Sequence, residues 1–245
     1  MKVITEKLIS WVRDYLNSFG GKTKAIIGIS GGKDSTIAAK ICVEAVGADR
    51  VIGVRMPQGE QHDLDVAKDV CSYLGIKSYE FGIETIQWAF NSVLSRDFSF
   101  EDELLTNPVY YSNNPARIRM TMLYAIAALL GDSRVVNTCN RSEDYVGYST
   151  KFGDSAGDFS PLSNLCVREV LQIGEDLGVP KEFIYKAPED GLSGKTDEDN
   201  LGFTYAELDA YLLDGVKPSD EILANIEKRH KQNLHKVLPM PSFVK

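Results

Sequence analysis

The chain is 245 residues long, 43% hydrophobic and 25% charged. That composition suits one large globular domain or two small ones and excludes disordered, collagen-like and disulfide-dense chains. Its 27 basic and 35 acidic residues leave a formal net charge of −8, so it is a poor non-specific binder of nucleic acid or membranes, and an anionic ligand must be held by local donors.

The first twenty residues carry apolar positions at Ile4, Leu8, Trp11, Val12, Tyr15 and Phe19, the spacing of an amphipathic helix. Lys24 to Ser30 is a short β-branched run that suits a buried parallel strand, and from Asp34 the period turns helical through Ile37, Ile41 and Ala45 to a C-cap at Gly47. The alternation repeats: a strand over 51–54, a helix over 63–74 ended by Gly75, a strand over 78–83 and a helix over 86–94. A longer helix is expected from about Pro115 to Leu130, then a strand over 134–138 and a helix over 165–177 stopped by Gly178 and Pro180. Residues 187–202 lack apolar periodicity and read as a loop. Helices are expected around 205–213 and 219–231, and an extended tail over 234–241. This order predicts an α/β fold in a single domain over 1–245: an open, mostly parallel, five-stranded sheet with helices on both faces, plus C-terminal helices.

No apolar run approaches the roughly 18 residues of a membrane span. The opening Met1-Lys2-Val3-Ile4-Thr5-Glu6-Lys7 has no apolar core with a small-residue cleavage site, so no signal peptide is read and a cytoplasmic protein is expected. Cys42, Cys71, Cys139 and Cys166 form no C-x-x-C pair and are expected as reduced, buried thiols.

Chemistry concentrates at Ile29-Ser30-Gly31-Gly32-Lys33-Asp34-Ser35-Thr36, between the first strand and its helix. Ligands bind outside the carboxyl ends of strands in open α/β sheets. Two glycines permit close backbone approach, the hydroxyls add donors, and a helix N-terminus presents unpaired N–H groups, so the turn is suited to phosphate or pyrophosphate. It is not a Walker A loop, since counting from Gly28 places Lys33 where the second glycine belongs, and it contains no G-x-G-x-x-G.

The run resembles the pyrophosphate loop of the N-type ATP pyrophosphatases. Four further stretches narrow the likeness: Asn114-Pro115-Ala116-Arg117-Ile118-Arg119-Met120; Asn137 to Glu143; Gly147 to Asp158 followed by Pro161-Leu162; and His235-Lys236. In order and spacing they are similar to ammonia-dependent NAD synthetase over about residues 24–240. The resemblance implies an adenine nucleotide alpha-hydrolase-like fold. It also implies ATP-dependent amidation of deamido-NAD by ammonia through an acyl-adenylate, with Mg²⁺, in a homodimer without nucleic-acid or membrane partners. It places ATP on Gly28, Ile29, Ser30, Gly31, Gly32, Lys33, Asp34, Ser35, Arg55 and Thr138, and magnesium on Asp34 and Glu143. The dinucleotide falls to Arg117, Lys151, Asp158, His235 and Lys236. Asp154 corresponds to an acid near the ammonia entry point, and Lys33, where many members carry glutamine, is read with it as catalytic.

Departures accompany the match. A phosphate-binding lysine of the family falls on Val167, with Arg168 turned about 100° away on a helix; a family threonine falls on Glu189, for which Ser193, Lys195 or Thr196 are substitutes; and Asn137 stands where glycine is usual. The loop 187–202 is the expected lid. Another N-type ATP pyrophosphatase, such as a tRNA-modifying ligase, and a non-catalytic nucleotide sensor are the alternatives.

Overall fold

A computed structural model describes residues 1–59, 64–97, 106–185 and 196–244. The β-branched runs become four parallel strands, β1 (Lys24–Gly28), β2 (Val51–Arg55), β3 (Lys77–Glu80) and β4 (Ser133–Val135), in the order β3-β2-β1-β4. Ile26 of β1 lies in register between Ile52 of β2 and Val135 of β4. Consecutive β1 side chains enter opposite cores, which is why the strand is apolar at successive positions rather than alternating.

On one face Ala25 and Ile27 meet α1 (Lys2–Asn17), α2 (Lys33–Val46), α3 (Leu64–Leu74), α7 (Val167–Asp176) and α8 (Lys181–Ile184), through fully buried Leu16, Ile37, Ile41, Ile173 and others. On the other, Ile26 and Val54 meet Ile83 and Ile118, Leu123 and Ile126 of α5 (Pro108–Leu130), with α4 (Glu84–Asp97) beside it. Each fully buried Leu or Ile contributes roughly 1.5–3 kcal/mol of transfer free energy. A third cluster joins α6 (Arg141–Val146), α7, α9 (Asp197–Leu201), α10 (Tyr205–Asp214) and α11 (Asp220–Val237) through Val146, Val167, Leu201, Leu208 and Ile226.

Four expectations change. Among the described residues the sheet has four strands, and the fifth place holds only a parallel bridge of Val136 to Phe159. The Asp158 carboxylate, not a backbone carbonyl, takes the Val135 N–H at 2.7 Å, and Pro161 two residues past Phe159 cannot donate, so the ladder stops. The long α5 starts at Pro108, capped by the Asn107 side chain, and carries Pro115 within it rather than at its start. The tail is helical through Val237, placing His235 and Lys236 on the last turn of α11 instead of on an extended segment. The loop over 187–202 gives way to helix α9 at Asp197; Glu189, Ser193 and Lys195 lie outside the described residues. All four cysteines are free and buried, and no helix among the described residues is long and apolar enough to cross a membrane.

Candidate active site

The turn after β1 is built by its own small residues. Gly31 adopts φ +85°, open to glycine at no steric cost. The Ser30 hydroxyl accepts the Gly32 N–H at 3.2 Å and lies 3.2 Å from Ser35 Oγ, while Ser35 Oγ and Thr36 Oγ1 donate back to the Gly32 carbonyl at 3.1 and 2.8 Å. Gly32 is the N-cap of α2, and no side chain caps that end. The first-turn N–H groups and the positive end of the helix dipole therefore face outward at the carboxyl edge of the sheet, in an arrangement that receives anions.

Beside it stands a carboxylate pair. Asn140, fully buried after β4, caps α6 by accepting the Glu143 N–H at 3.0 Å, and Glu143 Oε2 accepts the Asn140 N–H at 3.2 Å. The same Asn140 amide donates to Asp34 Oδ1 at 3.1 Å. Lys33 Nζ donates to Asp34 Oδ2 at 2.8 Å and lies 5.7 Å from the centre of the Tyr205 ring. Burial, then the neighbouring Asp34, push the Glu143 carboxyl well above its ordinary range, against the pull of Lys33. Burial works against the Lys33 charge, yet Asp34 and Glu143 outweigh it and raise the lysine above its usual value. The pair thus already accommodates one cation. Among the described residues no group of three or more His, Cys, Asp or Glu side chains is placed to hold a metal. Two carboxylates plus substrate phosphates are what Mg²⁺ ordinarily requires, so the donor set fits that ion once phosphate is present.

A second group gathers along the loop between α6 and α7. The segment 150–155 is wound tightly: the Thr150 N–H donates to Asp154 Oδ1 at 2.8 Å and Ser155 Oγ to the Thr150 carbonyl at 2.8 Å. Buried Asn137 clamps it, donating to the Asp154 and Ala156 carbonyls at 2.8 and 3.1 Å. A Cβ at Gly157 would lie 2.8 Å from the Asn137 backbone nitrogen, so the asparagine and the glycine fit as a unit. Burial raises the Asp154 carboxyl. Lys236 spans from α11 to the Gly147 and Ser149 carbonyls at 2.7 and 2.9 Å. Lys151 donates to the His235 carbonyl, and Arg117 to the Lys151 carbonyl at 3.2 Å. Asp158 holds the edge of β4 and accepts from Tyr124 at 3.3 Å. A cavity of about 220 Å³ opens between these elements, lined by Asn137, Asp144, Ser155, Asp158, Ser163 and Lys236. Burial, reinforced by Asp154, lifts the Asp144 carboxyl to about 6.

Two groups thus form from the residues singled out in the sequence. Gly28 to Ser35 and Glu143 come together around the turn; Arg117, Lys151, Asp154, Asp158 and Lys236 come together around the loop; Thr138 lies three residues past β4, in the segment between Asn137 and Asn140. Arg55, at the end of β2, is drawn sideways to Glu80 of β3 at 2.5 Å, while its buried Nε has no hydrogen-bond partner among the described residues. The His235 ring is exposed and lies 3.1 Å from the Gln232 carbonyl of its own helix. Val167 is a core residue of the third cluster, and Arg168 forms a bidentate pair with Asp214 at 2.9 and 3.0 Å on the exterior. Neither supplies a phosphate-facing cation, whereas Lys33 lies over Tyr205 of that same cluster. Thr196 caps α9. Two residues of the site stand in the stretches singled out above but had no role assigned there. Asn140 joins the two carboxylates, and its trace is the N-x-x-E capping pattern of Asn140 and Glu143. Arg119 reaches from α5 to the Met56 carbonyl at 3.0 Å, its pKa lowered by burial and supported by Asp154.

Known proteins resemble this chain over nearly its whole length. The NAD synthase family model matches residues 4–243. The NH(3)-dependent NAD(+) synthetase of Thermococcus sibiricus is 40% identical over 247 residues, covering 100% of this chain and 92% of that protein. Among solved structures, an NMN synthetase from Francisella tularensis superposes with a TM-score of 0.85 at 35% identity, covering 98% of this chain and 97% of the other. The NH3-dependent NAD synthetase from Campylobacter jejuni does so with a TM-score of 0.75 at 29% identity, covering 99% and 98%.

Proposed function

The chain belongs to the NAD synthase family, and from that premise we propose that it amidates deamido-NAD with ammonia at the expense of ATP, releasing AMP and pyrophosphate. The observation that carries this reading is the uncapped two-glycine turn set against the Asp34–Asn140–Glu143 bridge. A carboxylate resists attack because its charge repels a nucleophile and oxide is a poor leaving group. The nicotinate oxygen attacks the α-phosphorus of ATP, the α–β bridge bond breaks, and pyrophosphate departs. Ammonia then adds to the carbonyl carbon, loses a proton, and AMP leaves with the former carboxylate oxygen.

The turn's N–H groups and Lys33 face the charge that accumulates on pyrophosphate, in a fixed array that needs no reorganisation. Asp34 and Glu143 would hold Mg²⁺, which when bound offsets part of that charge. Asp154, Lys151, Arg117, Asp158 and Lys236 border the nucleotide acceptor and the ammonia path, and the 220 Å³ cavity leads there. No side-chain nucleophile is required. A homodimer in the cytoplasm completes the reading: Trp88 of α4 and Leu129 of α5 are 69% and 86% exposed, large apolar side chains of the kind a second copy covers, and sedimentation checks the dimer.

The test is to mix the protein with ATP, Mg²⁺, deamido-NAD and ammonium. NAD, AMP and pyrophosphate in equal amounts are expected; ADP, or turnover that requires tRNA, overturns the assignment. One observation favours a second reading, in which the acceptor is nicotinate mononucleotide: the Francisella tularensis structure, the more similar of the two superposed, is an NMN synthetase. Parallel kcat/KM values for mononucleotide and dinucleotide acceptors separate the two.

A further inference from the structure

Lys33 is oddly placed for a lysine. It is the first residue of α2, at the positive end of the helix dipole, where a cation is disfavoured. Neighbouring positions on a helix point about 100° apart, so its contact with Asp34 does not follow from helical spacing. Yet its side chain is only 12% exposed, and the ammonium lies 2.8 Å from Asp34 Oδ2. The reason lies across the sheet. Asn140 binds Asp34 with its side chain and Glu143 through the capping box, so two carboxylates are held together in a poorly solvated place. Without a cation, such a pair repels and takes up a proton. Lys33 is the cation, and the Tyr205 ring 5.7 Å from it extends its seat. The same ammonium stands at the mouth of the turn that receives phosphate, on a flexible four-carbon stem.

We propose that Lys33 is a built-in counter-ion of the Asp34–Glu143 pair, occupying the divalent-metal position while the nucleotide is absent and moving onto the phosphates when they arrive. The inference rests on the assignment above of Asp34 and Glu143 as the magnesium pair. Lys33 then keeps the carboxylates assembled and guards them against free metal. Metal binding becomes dependent on nucleotide, because phosphate draws the lysine away and adds the ligands that two carboxylates lack. In this way a group of one chain residue couples the filling of two adjacent sites.

The experiment is titration of nucleotide-free protein with Mn²⁺, followed by loss of the free-ion EPR signal. Lys33→Gln and Lys33→Met are expected to bind at least about tenfold more tightly than wild type, and Lys33→Arg to bind as weakly as wild type. With a non-hydrolysable ATP analogue present, wild type is expected to bind Mn²⁺ more tightly than Lys33→Gln. In EDTA the melting temperature of Lys33→Gln is expected to fall below that of wild type and to recover on adding Mn²⁺, which also shows that the variant folds. Equal or weaker Mn²⁺ affinity in both neutral variants, tight binding by Lys33→Arg, or tight binding that survives Glu143→Gln in the Lys33→Gln background overturns the proposal. These readouts need no turnover: if wild type forms NAD and the titration fails, the counter-ion role alone falls, whereas failure of wild type to form AMP and pyrophosphate removes the functional assignment itself.

Discussion

Replacing Asn140 by alanine is the sharpest probe of the bridge between Asp34 and Glu143. The side chain is fully buried and makes two bonds that alanine cannot: it accepts the Glu143 N–H at 3.0 Å and donates to Asp34 at 3.1 Å. Loss of an N-cap costs about 1 kcal/mol. Loss of a hydrogen bond to a charged group costs about 1.5–3 kcal/mol. The sum is about 3 kcal/mol, which for a chain of this size lowers Tm by about 6–12 °C at 2–4 °C per kcal/mol. Asp34 also loses the partner that orients it, and under the magnesium role proposed for Asp34 the removal of such a supporting group typically lowers activity by about 10–100-fold. Serine at 140 separates the effects, since it caps the helix but is too short to reach Asp34: Asn140→Ser should regain about 1 kcal/mol of stability and little activity. The assays are thermal unfolding by circular dichroism and pyrophosphate release at varied ATP. A melting temperature within about 1 °C of wild type and kcat/KM for ATP within twofold, both in Asn140→Ala, would refute the bridge.

Two further outcomes follow from buried carboxylates elsewhere. Asp209 of α10, 2% exposed, accepts from Ser142 Oγ at 2.5 Å and from the Arg168 N–H at 2.7 Å, capping α7 from a neighbouring helix; Asp209→Ala should cost about 2–4 kcal/mol in urea unfolding, and an unchanged midpoint would contradict that role. Asp144 has its folded pKa raised by burial from 3.8 to about 6. Its ionised form therefore weakens the fold, with no cost below 3.8, a growing cost between 3.8 and 6 and the full cost above 6. Asp144→Asn should stabilise the protein by roughly 1 kcal/mol at pH 8, after allowance for its partial exposure to solvent, and by almost nothing at about pH 3, below both pKa values; an equal gain at both values would show that burial is not the cause.

The phosphate turn was legible because its chemistry is local. Gly31, Gly32, Ser30, Ser35 and Thr36 bond to one another within a few residues, and the strand before them and the helix after them announce themselves by period. The parallel α/β plan was legible for the same reason, since strand and helix alternate in the hydrophobic pattern. The number of strands was not: five were expected, and four form among the described residues. Whether residues 157–161 pair as a strand depended on the Asp158 side chain competing for a backbone N–H, which period does not reveal. The end of α11 was misjudged because Pro239 and Pro241 drew the extended reading back over Leu234 to Val237, which the helix keeps.

The residue types and their order, read without coordinates, were enough to predict the parallel sheet with a two-glycine turn at the end of its first strand, while the choice of Asp34 and Glu143 as acids for a divalent ion came from the family resemblance. Folding alone decided that Asn140 joins those acids across 106 positions, that Lys33 neutralises them, that Lys236 reaches back 89 positions to brace the loop, and that Val167 belongs to the core. The division has one physical cause. Turns, caps and hydrophobic periods arise from bonds among near neighbours, whose geometry the backbone dictates. The pairing of buried charges depends instead on which distant side chains packing brings within about 3 Å, where a low dielectric makes each contact strong.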